Sequence, residues 1–432
     1  MLWPLGPFVA CSAGDVGGAG PAVTVTLDEE VPTLVTLSWV TEDAVVSFVE
    51  FGEGQFERTS ATEAEATTEH SRTLVGLAAD TQYSFRVSDS TVTDAFTTGS
   101  LPPALPSFVV TGDAGAGTGW MATTLVGALR VPVLIDRQGR ITWWHLGDGD
   151  QLGPRAIVSA GGTGMVTNRA LGVYSREKAG EAAIIRIPWA GPGVEETSIP
   201  AHTHDFVEHQ DGTLAALRYV VDVVDGESVV GNQLVEVAPD GSERVVWSAF
   251  DEFDPRALPQ QAADSGWTHA NALDYLPEDD TYLVSLHSFR TIGKIRRSTG
   301  ELLWAFGGRV NTFTFGHPAE QMRRSHQFQW LDGGLLAFDN GDVDRRHSCV
   351  SEFRIDEAAQ TAERVWSYQQ EPTQYLPALG DVHRLADGST LVVWSMLGQI
   401  ERVDPAGNVL WSMSAPLGSG LGYVSLVESL DR

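Results

Sequence analysis

Three histidines of this chain recur in one setting. His204, His269 and His326 each open a short apolar stretch that runs toward a turn: His204-Asp-Phe-Val-Glu-His-Gln-Asp-Gly-Thr-Leu, His269-Ala-Asn-Ala-Leu-Asp-Tyr and His326-Gln-Phe-Gln-Trp-Leu-Asp-Gly-Gly-Leu. Taken singly, each reads as a half-buried imidazole with satisfied hydrogen bonds. Three at equivalent points of a repeating unit point instead to a shared centre. Neutral imidazole is a competent nucleophile near pH 7, and a second imidazole can deliver or accept a proton. The alternative is a zinc or copper site, with His202 supplying a fourth nitrogen two residues before His204. No carboxylate or second His-x-His pair completes that set, so neither a metal nor another cofactor is expected.

For these side chains to meet, their strands must converge. From 107 to 432 an apolar strand runs into a polar turn and a second strand, often ending in tryptophan, six times over. Examples are Val133-Leu-Ile-Asp-Arg-Gln-Gly-Arg-Ile-Thr-Trp143 and Glu401-Arg-Val-Asp-Pro-Ala-Gly407 into Val409-Leu-Trp411. The anchors Ile135, Ile187, Val237, Ile295, Ile355 and Val403 lie roughly 50–60 residues apart, a spacing suited to propeller blades with long loops. A further hairpin between anchors makes each blade four-stranded. The innermost strands of a propeller run the same way relative to its axis, so residues at one strand end share one mouth of the channel. Another repeat carries Asp381 at that point, with His383 two residues on, so packing alone does not demand histidine there. The tryptophans are expected between blades, and Asp211-Gly212, Asp332-Gly333 and Asp387-Gly388 are expected to be hairpin turns with positive φ.

The chain has 432 residues, 42% hydrophobic and 20% charged, enough for a large core. Acidic residues outnumber basic ones 57 to 28, which excludes nucleic acid as an expected partner. An anionic substrate would need a local cationic pocket against that field. Residues 21–99 form short alternating strands separated by turns, with Trp39 and Leu77-Ala-Ala-Asp-Thr81-Gln-Tyr83 resembling the core tryptophan and tyrosine corner of a fibronectin type III module. His70 of this segment is expected at the surface. Residues 100–106, with Leu101-Pro-Pro-Ala-Leu-Pro106, form a stiff linker. The expected fold is therefore all-β: a small sandwich followed by a six-bladed β-propeller over 107–432. In residues 1–20, Phe8-Val9-Ala10-Cys11 resembles a bacterial lipobox, although no Lys or Arg precedes the apolar run. That resemblance implies an exported bacterial lipoprotein, periplasmic or anchored in the outer membrane through acylated Cys11. Cys349 reads as a small apolar strand residue, since no CxxC pattern or basic partner marks it as reactive.

The central third carries a more specific resemblance. Trp267-Thr-His269-Ala-Asn271 resembles the Trp-x-His-x-Asn motif of the bacterial arylsulfotransferase (aryl-sulfate sulfotransferase) β-propellers. Ser325-His326 followed by Phe338-Asp-Asn-Gly341, and His202-Thr-His204-Asp205, resemble two further motifs of that family. The resemblance implies transfer of a sulfuryl group from an aryl sulfate to a phenol, without a nucleotide donor. It implies His326 as the nucleophile that becomes sulfated, with His204 and His269 binding sulfuryl oxygens and handling phenol protons. His202, Asn271 and Asn340 join it as substrate-binding candidates. The family's arginine after the Trp-x-His motif stands here as His287, with Arg290 three residues on. Its second arginine stands as Cys349, with Arg345 and Arg346 just upstream. His287 and Arg290 are thus further catalytic candidates, and Arg345 and Arg346 substrate-binding ones. Losing one such cation costs on the order of 10²–10³ in rate. The missing arginine motivates a rival expectation, a catalytically idle propeller that binds a ligand or a partner.

Overall fold

The structure, a computed structural model, describes residues 21–431 apart from 89, 91–92, 114–118, 128, 148–151, 262–264 and 318–319. Cys11 and its lipobox-like segment therefore lie outside the described residues.

The first sandwich follows from alternation. In Val35–Val45, Val35, Leu37 and Trp39 point inward, and in Gln82–Val87 so do Tyr83, Phe85 and Val87. These faces close one core shared by a three-stranded and a four-stranded antiparallel sheet. Tyr83 reaches back along the chain, its hydroxyl accepting the Ala78 N–H at 2.9 Å. His70 differs from the expectation, for it is buried. It sits directly across from Trp39, stacks on that ring at 5.1 Å, and bonds Glu63 and Thr41. Its place on the inward side of Thr67–Leu74 overrides its polarity.

Six more sheets follow in chain order, and the main strands of each run antiparallel in sequence; Thr314–Phe315 adds to the fifth in parallel, beside its outer strand Thr361–Tyr368. The second begins with Ala156–Val158, the third with His202–Glu208, the fourth with Ala270–Leu276, the fifth with Ser325–Leu331 and the sixth with Asp381–Arg384. From the third to the sixth, these first strands contact one another in turn, which makes them the inner edges around a common centre. The ring is closed from both ends of the chain. Val109–Gly112 adds an outer strand to the sixth sheet, while Gly420–Leu421 and Ser425–Val427 add to the inner edge of the first. Second strands such as Thr281–Leu286, Gly334–Asp339 and Thr390–Trp394 are buried along their whole length, because neighbouring sheets cover both faces. This explains why they read as unbroken apolar runs. Gly212, Gly333 and Gly388 adopt φ of 83°, 71° and 82°, as hairpin turns require.

The sandwich packs on the first sheet through Val31, Leu34 and Val75. Arg140 pairs with Glu53 at 2.8 Å, and Arg58 pairs with Asp431 while lying over the Trp120 ring. No helix among the described residues is long and apolar enough to cross a membrane.

Candidate active site

Each of the three inner strands carrying a candidate histidine has an irregular register at its start. The shifts fall between His202 and Phe206, Ala270 and Ala272, and Ser325 and Phe328. Such bulges re-aim side chains. The result is a compact group of four imidazoles. His204 lies 4.8 Å from His269, His269 5.3 Å from His287, and His287 5.1 Å from His326, centroid to centroid. His287 comes from the short 3-10 turn His287–Phe289 after the fourth sheet's second strand.

The Phe338-Asp-Asn-Gly341 segment builds the His326 end, one residue per task. Asp339 accepts the N–H groups of Arg323 and Arg324, at 3.0 and 3.1 Å, and so fixes the approach to His326. Gly341 supplies the turn, with φ of 78° and no room for a Cβ, which would lie 2.4 Å from the His347 carbonyl oxygen. Asn340 orients the imidazole. Its Nδ2 donates to the carbonyls of Leu376 and Leu379, at 2.9 and 2.8 Å. The amide oxygen must therefore face His326 Nδ1, 2.6 Å away. An oxygen there can only accept, so Nδ1 carries the ring hydrogen and Nε2 keeps its lone pair.

His204 is set the same way. The Thr203 hydroxyl donates to the Leu171 carbonyl at 2.7 Å and therefore accepts from His204 Nδ1 at 2.5 Å, which leaves Nε2 as a base. His269 Nδ1 meets Ser265 Oγ at 2.8 Å. His287 has the opposite tautomer. Its Nδ1 faces the Arg324 guanidinium at 3.5 Å, so the hydrogen sits on Nε2, a buried donor without a protein partner among the described residues. Burial, first of all, lowers the basicity of His326, His204 and His287, and neighbouring imidazoles reinforce it. His326 is lowered to about 4 despite the Asn340 bond, and His204 and His287 lie well below the usual imidazole range.

The remaining candidates separate clearly. His202 is fully buried, with Nδ1 on the Leu217 carbonyl at 2.8 Å and Nε2 on Asn168 at 2.9 Å. That leaves no ring atom for a ligand. Asn271 donates to the Ser325 carbonyl at 2.9 Å, tying the His269 strand to the residue before His326. Arg290 ends the His287 turn with φ of 61° and lies 3.6 Å from Asp342. It sits on no strand, so strand alternation does not set its direction. Arg345 is held by Asp339 at 2.8 Å, and Arg346 is exposed, bonding the Val343 carbonyl. A guanidinium that the sequence motifs do not mark, that of Arg324, reaches the imidazole group. It sits in the bend just before the strand Ser325–Leu331, where its backbone N–H is fixed by Asp339, and no local pattern in the sequence marks it. Cys349 is a buried strand residue whose thiol is pushed up to about 11 by burial.

A cleft of about 650 Å³ opens at His204, walled by Val126, Leu171 and Leu379 with Arg130 and Lys178 among its charged residues. Among the described residues, no group of three or more His, Cys, Asp or Glu side chains is arranged to hold a metal ion.

The arrangement, with one fixed lone pair, a second base and an unpartnered N–H donor, can take a nucleophile through group transfer. The profile of the arylsulfotransferase (ASST) family matches residues 123–412, which includes all four imidazoles. The chain belongs to that family. In this arylsulfotransferase-family chain the His287 imidazole is backed by the Arg324 guanidinium. No curated protein shows significant similarity to the chain. Among solved structures it is similar to a protein of unknown function from Bacteroides caccae, at 12% identity over 72% of this chain and all of the other, with a TM-score of 0.43. A virginiamycin B lyase from Staphylococcus aureus is similar at 12% identity over 74% and 99% of the two chains, with a TM-score of 0.40. Likenesses this slight say nothing of function.

Proposed function

We propose that the chain is an arylsulfotransferase that moves a sulfuryl group from an aryl sulfate to a phenol through a sulfohistidine at His326. In the first step the His326 Nε2 lone pair attacks sulfur, the N–S bond forms, and the S–O bond to the donor breaks. The departing phenoxide is met by the His287 Nε2–H. In the second step the acceptor's oxygen attacks the same sulfur, its proton passes to a neighbouring imidazole such as His204 Nε2, and the N–S bond breaks. Charge on the sulfuryl oxygens is balanced by Arg324, with Arg290 at the rim. No nucleotide, metal or other cofactor takes part in either step. The observation that carries this reading is the Asn340 amide, whose two carbonyl partners force His326 to present a bare nitrogen.

The low basicity of the imidazoles narrows the substrates. Burial holds the His287 and His204 rings well below the usual imidazole range, so neither is a ready acid at neutral pH and the donor's phenol must leave largely as phenoxide. Donors and acceptors with acidic phenols are therefore favoured. The reading includes the six sheets as six blades, the sandwich as a fibronectin type III-like module, and export with attachment through Cys11. The test is incubation with 4-nitrophenyl sulfate and phenol. Nitrophenol release with ping-pong kinetics, abolished in folded His326→Ala, is expected. Turnover retained in that variant removes His326 as the nucleophile, and no release from any aryl sulfate favours a ligand-binding propeller.

A further inference from the structure

One residue beyond His204 lies a carboxylate with more partners than its place in the fold requires. Asp205 is fully buried. Its Oδ1 accepts from Arg155 Nε at 2.7 Å and from the Phe206 N–H at 2.9 Å. Its Oδ2 accepts from Gln327 Nε2 at 2.7 Å, the Leu273 N–H at 3.0 Å and Arg155 Nη2 at 3.1 Å. Gln327 follows His326, and Leu273 belongs to the strand that begins after His269. One carboxylate thus holds an atom from each of the three histidine strands. Arg155, at the head of the second sheet, closes the group over the Tyr423 ring.

The sixth sheet shows what the fold alone needs at this point. Asp381 also accepts the N–H of the next residue, Val382, at 2.7 Å, and that of the neighbouring inner edge, Val424, at 2.8 Å. Those two backbone bonds pin adjacent sheets. Beyond them Asp381 meets the His383 ring of its own strand, at 3.3 Å, whereas Asp205 has the same two backbone bonds and adds Arg155 and Gln327 from other sheets. The addition occurs where the imidazoles must be held in register, and Gln327 is the direct link to His326.

We propose that Asp205, with Arg155 and Gln327, is a positioning clamp that sets the spacing of His204, His269 and His326, given the reading of those residues as the reacting group. A shift of ~1 Å between reacting groups costs on the order of 10² in rate. Asp205→Asn keeps the shape and removes the charge that Arg155 needs. The expected result is a kcat for 4-nitrophenyl sulfate lower by about 10²-fold with KM changed by less than about threefold, in protein with native circular dichroism. The double variant Asp205→Asn/Gln327→Glu returns a carboxylate to the other side of Arg155, and is expected to recover about tenfold in kcat. A merely structural role would lower the melting temperature without that recovery. Folded Asp205→Asn with kcat within about threefold of the parent, or a double variant no faster than the single, overturns the proposal. If Asp205→Asn does not fold, Gln327→Ala tests the same link without stranding a charge, and an unchanged kcat there overturns it. If the parent turns over no aryl sulfate, the functional reading fails while the clamp is still read by ¹⁵N NMR of the histidine rings. Displaced His204 and His326 ring signals in Asp205→Asn or Gln327→Ala support it, and unmoved signals overturn it.

Discussion

Replacing Asn340 by alanine tests the step on which the chemistry rests. The substitution removes the acceptor 2.6 Å from His326 Nδ1 and the donor shared by the Leu376 and Leu379 carbonyls. Leu376 keeps the Ser348 hydroxyl, so the groups stranded are the Leu379 carbonyl and the ring N–H. Each costs about 1–3 kcal/mol when left buried and unpaired, so a stability loss of about 2–6 kcal/mol is expected. The effect on rate comes from the tautomer. One buried hydrogen bond contributes about 1–1.5 kcal/mol, and every 1.4 kcal/mol changes an equilibrium about tenfold. Without Asn340, the ring hydrogen is free to move to Nε2, which silences the nucleophile. A fall in kcat of about ten- to a hundredfold follows once loosened orientation is added, with KM for the donor little changed. The assay is the pre-steady-state burst of nitrophenol from 4-nitrophenyl sulfate, paired with ¹⁵N NMR of the ring. The burst rate must fall together with the Nδ1–H signature of His326. A folded variant that keeps both the burst rate and that signature refutes the reasoning, because the tautomer would then be set by something other than the amide.

Three further outcomes are expected. His326 and His202 are held to about 4 by burial, against about 6.5 in the unfolded chain, so acid protonates the unfolded state first. Stability is then complete above about pH 6.5 and declines as pH falls toward 4, by about 2 kcal/mol per ring at pH 5, which denaturant titration at pH 7.5 and 5 checks. The same depression leaves His326 unprotonated in mild acid, so kcat/KM should stay level down to about pH 5 where an ordinary imidazole would already be losing activity near 6.5. His287→Phe removes the unpartnered N–H donor and should lower kcat by about 10²-fold or more, whereas Arg346→Ala, far out on the surface, should differ from Arg324→Met by at least about tenfold in kcat/KM; equal effects of the two arginine variants would show that proximity to His287 is irrelevant.

Local signals in the sequence carry a good deal of this. The Asp-Gly turns, the inward alternation of Val35, Leu37 and Trp39, and the recurring histidine at the head of an apolar run each depend on near neighbours. What escapes is set by contacts distant in the chain. Asp205 reaches Arg155 and Gln327, 50 and 122 residues away, and nothing beside it announces either partner. His202 looks like half of a ligand pair until Asn168 and Leu217 occupy both its nitrogens. His70 reads as a surface residue when its polarity is weighed above its place opposite Trp39. Arg324 stands in a bend outside any strand, so alternation does not mark it, and the resemblance draws attention instead to Arg290, Arg345 and Arg346.

Backbone strain separates what the fold wants from what the site wants. His204 and His269 have φ of 51° and 49°, in the left-handed region that side chains bearing a Cβ seldom enter. By its backbone bonds Asp381 corresponds to Asp205, and not to His204 as the spacing to its Asp-Gly turn suggests, so the residue equivalent to His204 is Gly380, with φ of 107°. A positive φ thus recurs at the head of three inner strands, though not at His326, and glycine meets it without a Cβ penalty where no side chain is wanted. Placing an imidazole there costs on the order of 1–2 kcal/mol per residue. Two sheets accept that cost, and both direct the ring into the same group. Such strain persists only where the surroundings over-determine it, and here they do, through Thr203 behind His204 and Ser265 behind His269. Histidine at these two points is thus a choice made against local conformational preference, and the reason for it lies in where the rings are aimed.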